Sequence, residues 1–68
     1  MSKIITNRLP GTIDRMTSGA VTSELVIRTV AGELTSVTSN YSVEQMDFKA
    51  GDRIFAIFKA TEVSLKRE

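Results

Sequence analysis

Residues 38–50 read TSNYSVEQMDFKA, the one stretch where this chain stops looking like a series of strands. Ser39, Asn40 and Ser42 lead into Val43, Glu44, Gln45 and Met46, which predicts a short helix over Asn40–Met46. Ser42 followed three residues later by Gln45 matches a capping box, and Asn40 is an equally good N-cap. A side-chain oxygen at either position can accept a backbone N–H that the first helical turn leaves unpaired. The helix runs one or two turns and ends before a second turn at Lys49-Ala50-Gly51-Asp52.

On both sides of that helix the pattern is extended. Upstream, β-branched residues recur between glycines, with abundant Ser and Thr, and that composition favours strands separated by turns. A first strand is expected over residues 9–16. Pro10 has no N–H for a ladder, so it belongs at a strand start or an edge. Thr17-Ser18-Gly19 reads as a turn with Gly19 free to take positive φ. In residues 20–30, Val21, Ser23, Leu25, Ile27 and Thr29 share one face while Thr22, Glu24 and Arg28 take the other, the period of a half-buried strand. A turn at Ala31-Gly32-Glu33 and a strand over residues 34–39 complete a hairpin.

Downstream, residues 53–58 are apolar on both faces: Ile54, Ala56 and Phe58 on one, Phe55 and Ile57 on the other. A monomeric barrel this small should keep one face wet, so a second covered face implies a partner subunit. Thr61, Val63 and Leu65 alternate as a final strand. The expected order is three strands, a short helix and two strands, which fits an all-β, small five-stranded OB-like barrel with one short helix in a single domain, residues 1–68. Closing the sheet would also remove exposed edges.

Size and charge narrow the function. A domain of 68 residues is too short to bury more than about 60 % of the surface its unfolded chain exposes. Cysteine and histidine are absent, so neither a disulfide nor a structural zinc site can reinforce it, and oligomerisation is the remaining route. Nine basic and eight acidic residues give a net charge of +1 without runs, which argues against a nucleic-acid binder. No apolar run approaches a membrane span and no leader pattern opens the chain, so a cytoplasmic protein is expected. Nucleophilic catalysis needs a base beside the nucleophile, no histidine exists to serve, and the carboxylates are scattered; no catalytic residue is assigned.

Hydroxyl groups, the free N–H groups of a helix start and one cation, Lys59, suit a small dianion such as a tetrahedral oxyanion. They do not suit a bare metal ion. Micromolar affinity needs roughly 8 kcal/mol. Hydrogen bonds to a charged group contribute about 1.5–3 kcal/mol each, so about five converging donors are required.

Four pieces of sequence carry a family resemblance: Asn7-Arg8-Leu9-Pro10-Gly11; Ser18-Gly19-Ala20-Val21-Thr22-Ser23-Glu24; Ser42-Val43-Glu44 with Gly51 following; and Ile57-Phe58-Lys59-Ala60-Thr61-Glu62-Val63. In this order, over about residues 7–65, they resemble the molbindin (Mop, or TOBE) domain. That resemblance implies an OB-like barrel that binds molybdate, with tungstate as an alternative, and no organic cofactor. It further implies a homo-oligomer, a hexamer built as a trimer of dimers, with anion sites between subunits and a role in molybdenum storage or homeostasis.

By the same resemblance, Ser39, Ser42 and Lys59 belong to the interfacial site, with Ala60 and Thr61 beside them and Thr6 and Asn7 at the chain start. A second oxyanion site near a symmetry axis is implied around Gly19, Ala20, Val21 and Thr22. One departure stands out. Many members open S-A-R-N, whereas this chain has Ile4-Ile5-Thr6-Asn7, so that serine is Ile4 and that arginine is Thr6. A positive charge is missing from the implied site unless Arg8 or a neighbouring chain supplies it.

Each residue also has a plainer role. Ser42 caps a helix whatever the function, Ser39 can face solvent, and Lys59 can simply keep a strand end in water. The competing reading is an OB-type interaction module, for protein or nucleic acid, whose oxyanion site has decayed. Sparse aromatics argue against its nucleic-acid form.

Overall fold

In the computed structural model, which describes residues 5–67, the chain opens with one long strand, β1 (Thr6–Ser18). It is followed by β2 (Thr22–Thr29), β3 (Gly32–Ser39), the helix α1 (Asn40–Met46) and β4 (Arg53–Lys59). The sheet is antiparallel in the order β3-β2-β1-β4. β1 extends beyond the expected 9–16 because its first half pairs with β4 and its second half with β2.

Pro10 sits inside β1, opposite Phe55 of β4. The β1–β2 ladder begins only at Gly11 and Thr29, so Pro10 lies where the β2 side has already run out, a local edge. Next to it, Gly11 lets β1 and β2 close up. A Cβ there would lie 2.7 Å from Ile27 Cγ2 and 2.9 Å from the Arg28 carbonyl oxygen. Asp14 is a bulge: Ile13 pairs with Ile27 and Arg15 with Val26, leaving Asp14 unmatched and bending the strand. Its carboxylate accepts from Arg28 at 3.1 Å and from Arg15 at 3.4 Å.

The core is small. Among the described residues its buried apolar members are Ile13, Leu25, Val26 and Ile27, with buried Ser23 beside them. Ser23, Leu25 and Ile27 follow the expected face. Val21 does not, being 72 % exposed, and Val26 is buried although it points the other way. The turn at 49–52 is tied to the core strand, since Gly51 N–H donates to the Ile13 carbonyl at 2.7 Å and Ile13 N–H to that of Asp52 at 2.9 Å. Among the glycines positive φ falls at Gly32 and Gly51 rather than at Gly19, and Asp47 at the end of α1 is left-handed as well.

Two expectations need correction. The helix spans the expected residues, but its N-cap is Ser39, not Asn40 or Ser42. Ser39 wins because it holds the extended conformation that a cap requires, with φ −71° and ψ 148°. Moreover, the expected five-stranded closed barrel is not seen: among the described residues there is one four-stranded sheet that does not close. Residues 60–62 form a short 3-10 helix, and residues 63–67 pair with nothing among the described residues. Alternation alone does not make a strand; without an available edge alongside, Val63 and Leu65 remain 48 % and 96 % exposed.

Candidate functional site

The helix start is built from hydroxyls. Ser39 ends β3, and its Oγ accepts from the Ser42 backbone N–H at 3.0 Å. The two hydroxyls are hydrogen-bonded at 2.9 Å. One local turn thus holds both side chains together with their polar atoms half-buried. The helix is only seven residues long, so its dipole adds little to what the hydroxyls themselves offer.

Asn40 joins this turn to the segment between β1 and β2. Its backbone N–H donates to the Val21 carbonyl at 2.8 Å, and its side-chain Nδ2 donates to the Gly19 carbonyl at 3.0 Å. Asn40 Oδ1 accepts from the buried Ser23 hydroxyl. Ser23 Oγ also lies 3.3 Å from Ser18 Oγ. A hydroxyl carries one proton, so Ser18 must donate in that second bond. Thr22 is the register partner of Ser39, and Gly19 N–H closes the turn on the Thr22 carbonyl at 2.7 Å. The structure therefore brings Ser39 and Ser42 beside Gly19, Ala20, Val21 and Thr22 as one connected patch.

The other candidate residues gather elsewhere. Thr6 lies directly opposite Lys59, and Asn7 opposite Phe58, at the far end of β1 from Ser18. Ala60 N–H donates to the Ile5 carbonyl at 2.9 Å, and Thr61 is exposed in the 3-10 turn. Ile4, where the missing serine would stand, lies outside the described residues. No hydrogen bond among the described residues joins Ser39 or Ser42 to Lys59, Ala60 or Thr61. The candidate donors thus form two groups separated by the 13-residue length of β1.

Lys59 makes no ion pair among the described residues. Strand alternation puts Thr6, Arg8, Ile57, Phe55 and Lys59 on one face of the sheet. On that face the Arg8 guanidinium stacks over the Phe55 ring, 4.9 Å from its centroid. Arg8 lies two residues along β1 from Thr6 on the same face, held by an aromatic contact, while Lys59 is the cation directly opposite Thr6. Phe55 and Ile57 are 55 % and 64 % exposed, a paired apolar surface of the kind the two-sided pattern predicts.

Sequence reasoning missed the role of Asn40 and of Ser23. A serine in an otherwise apolar strand face was the available signal, because a buried hydroxyl must find a partner. It did not reveal which partner, since Asn40 arrives from another element. Among the described residues no group of three or more His, Cys, Asp or Glu could hold a metal ion, and no helix is long and apolar enough to cross a membrane.

Comparison with known proteins adds to this geometry. Residues 5–65 match the TOBE domain model. Molybdenum-pterin-binding protein 2 of Clostridium pasteurianum is 35 % identical over 66 residues, 96 % of this chain and 97 % of that protein. Molybdenum-pterin-binding protein 1 of the same organism is 33 % identical with the same coverage. A molybdate binding protein from Sporomusa ovata superposes with a TM-score of 0.86 at 30 % identity, covering 90 % of this chain and 91 % of that one. MopII from C. pasteurianum, in an apo form, gives 0.83 at 34 % identity, covering 90 % and 92 %.

Proposed function

The chain belongs to the TOBE domain family, and from that premise we propose that it binds molybdate at the seams of a homo-oligomer. It is a binding protein rather than an enzyme, as its relatives are. The oligomer is a hexamer, a trimer of dimers, and it serves molybdenum storage or homeostasis in the cytoplasm. Tungstate, of nearly the same size and charge, competes for the same site.

One observation carries the interfacial reading. Ser39 and Ser42 are grouped at one end of β1, while Thr6, Asn7, Lys59, Ala60 and Thr61 are grouped at the other. A tightly held dianion needs roughly five donors, one of them cationic; the hydroxyl pair has no cation beside it, and Lys59 lies at the other end of β1. A hydroxyl pair from one subunit and a lysine from another together supply them. The patch of Gly19, Ala20, Val21 and Thr22 is the second oxyanion site, built against the first through Asn40.

The apolar surface supports assembly independently. Phe55 and Ile57 precede Lys59 on the same face of β4, so an interface that covers them and reaches the strand end also removes water from around the lysine. A charged hydrogen bond strengthens when its surroundings lose water.

Thermal melting in the presence of each anion tests the reading. A ligand that binds only the folded form raises the midpoint in step with its concentration over Kd. Molybdate and tungstate are expected to raise it, with phosphate leaving it unchanged. No shift with molybdate at millimolar concentration would reject the assignment.

A further inference from the structure

The sheet face turned away from buried Ile13 carries a basic row apart from the oxyanion donors. Thr12 in β1 stands opposite Arg28 of β2 on one side and Arg53 of β4 on the other. Directly opposed residues of a ladder project from the same face, so the Thr12 hydroxyl lies between two guanidinium side chains. Two strand spacings of about 4.8 Å put the arginine Cα atoms roughly 10 Å apart. Either side chain is long enough to reach over the threonine. Thr12 is midway along β1, between Thr6 at one end and Ser18 at the other.

A hollow of about 300 Å³ adjoins the row, lined by residues including Pro10, Thr12, Arg28, Val30 and Arg53. Pro10 explains it. The proline offers β2 no N–H, and the β1–β2 ladder starts only at Gly11 opposite Thr29, so no strand fills the space beside Pro10. Val30, in the turn after β2, is 95 % exposed and shares the hollow with Pro10 as an apolar wall. Arg53 makes no ion pair among the described residues, and Thr12 Oγ1 makes no hydrogen bond among them. Arg28 gives one N–H to Asp14 at 3.1 Å, which leaves most of its five donors free. Asp14, and Glu33 opposite Arg28 in β3, offset the charge on that side, so an anion is drawn toward Arg53.

We propose that this row binds a phosphomonoester, with Arg53, Arg28 and Thr12 on the phosphoryl group and Pro10 and Val30 against its organic part. Guanidinium forks match phosphoryl oxygens bidentately, and the Thr12 hydroxyl donates to a third oxygen. A bare tetrahedral anion would leave most of the hollow to water, whereas an organic body fills it. The Arg28 side chain is 65 % exposed, so its ion pairing is screened and a dissociation constant on the order of millimolar is expected. Free phosphate has no organic contact to add and binds too weakly to move the melting midpoint. One chain supplies every residue of this site, which therefore stands or falls separately from molybdate binding.

Phenyl phosphate is the probe, titrated into the full chain and followed through its backbone amide NMR signals. Saturable shifts centred on Thr12, Arg28 and Arg53 are expected, with affinity at least tenfold above that of inorganic phosphate. Arg53→Gln is expected to weaken phenyl phosphate at least tenfold. Lys66→Gln removes the same charge outside the row and is expected to bind as the wild type does. Val30→Ser is expected to narrow the preference over inorganic phosphate, and saturating molybdate to leave phenyl phosphate bound. The proposal is overturned by an absence of saturable shifts, by affinity that survives Arg53→Gln, or by equal loss in both charge variants. Displacement by molybdate, or a preference that Val30→Ser does not change, overturns it as well.

Discussion

Ser23 in β2 and Asn40 at the first position of α1 stand seventeen residues apart and share a hydrogen bond, the hydroxyl donating to the amide oxygen. Ser23 is 1 % exposed, so this bond satisfies a polar group that water cannot reach. It also ties the helix start to the turn between β1 and β2, the two halves of the connected patch. Ser23→Ala leaves Asn40 Oδ1 without its donor. The expected loss is about 1–3 kcal/mol of unfolding free energy, measured by denaturant titration. A loss well under that range would show that Asn40 finds another donor without cost.

Gly11 tests the close approach of β1 and β2. Gly11→Ala places a methyl group 2.7 Å from Ile27 Cγ2 and 2.9 Å from a backbone oxygen that cannot move aside as a side chain can. Overpacking of this kind costs about 1–3 kcal/mol. The melting midpoint should fall accordingly, and an unchanged midpoint would mean the two strands are free to separate there.

Ser39 has two roles that a pair of measurements can separate. Ser39→Ala removes the helix cap, a loss of about 1 kcal/mol in unfolding free energy without ligand. It also removes a proposed molybdate ligand, so calorimetry should show weaker binding beyond what the stability loss explains. Binding equal to wild type in the folded protein would leave Ser39 as a cap alone.

The charge of the proposed site can be lowered or raised at two residues that face each other. Lys59→Ala is expected to weaken molybdate binding by at least tenfold, about 1.4 kcal/mol, while assembly persists. Thr6→Arg, opposite Lys59 on the same sheet face, is expected to tighten it. Calorimetric affinities that do not move in these directions would remove the pair from the site.

Ile57 probes the outer face of β4. A surface substitution in a true monomer changes stability by no more than about 0.5 kcal/mol. Ile57→Glu is therefore harmless if the face is solvent and disruptive if a subunit covers it. Light scattering is expected to show a hexamer for the wild type and smaller species for the variant, with the circular dichroism spectrum retained.

How much of this was legible beforehand differs by element. Patterns local in sequence were readable: the period-two face of Ser23, Leu25 and Ile27, the short helix, the turns around Gly32 and Gly51, and the two-sided apolar run in β4. Position along the chain was enough for these, because the side chains that define each element are neighbours within it. Family resemblance is what proposes Ser39 as a site residue, and its capping role was given to Asn40 and Ser42. Both alternatives carry a suitable side chain, and only the backbone angles distinguish them.

The amino-acid order by itself settled the class of the protein: a small β-rich chain without cysteine or histidine, whose four matching segments mark its family. Tertiary structure decided everything that needs two elements at once. It set Asn40 against Ser23, placed Thr6 across from Lys59, left the sheet open among the described residues where a fifth strand was expected, and put the proposed oxyanion donors at opposite ends of one strand. The reason is physical. A residue's own chemistry fixes what it can bond to, but whether a partner lies within reach depends on how distant segments pack, and alternation in sequence carries no record of that distance.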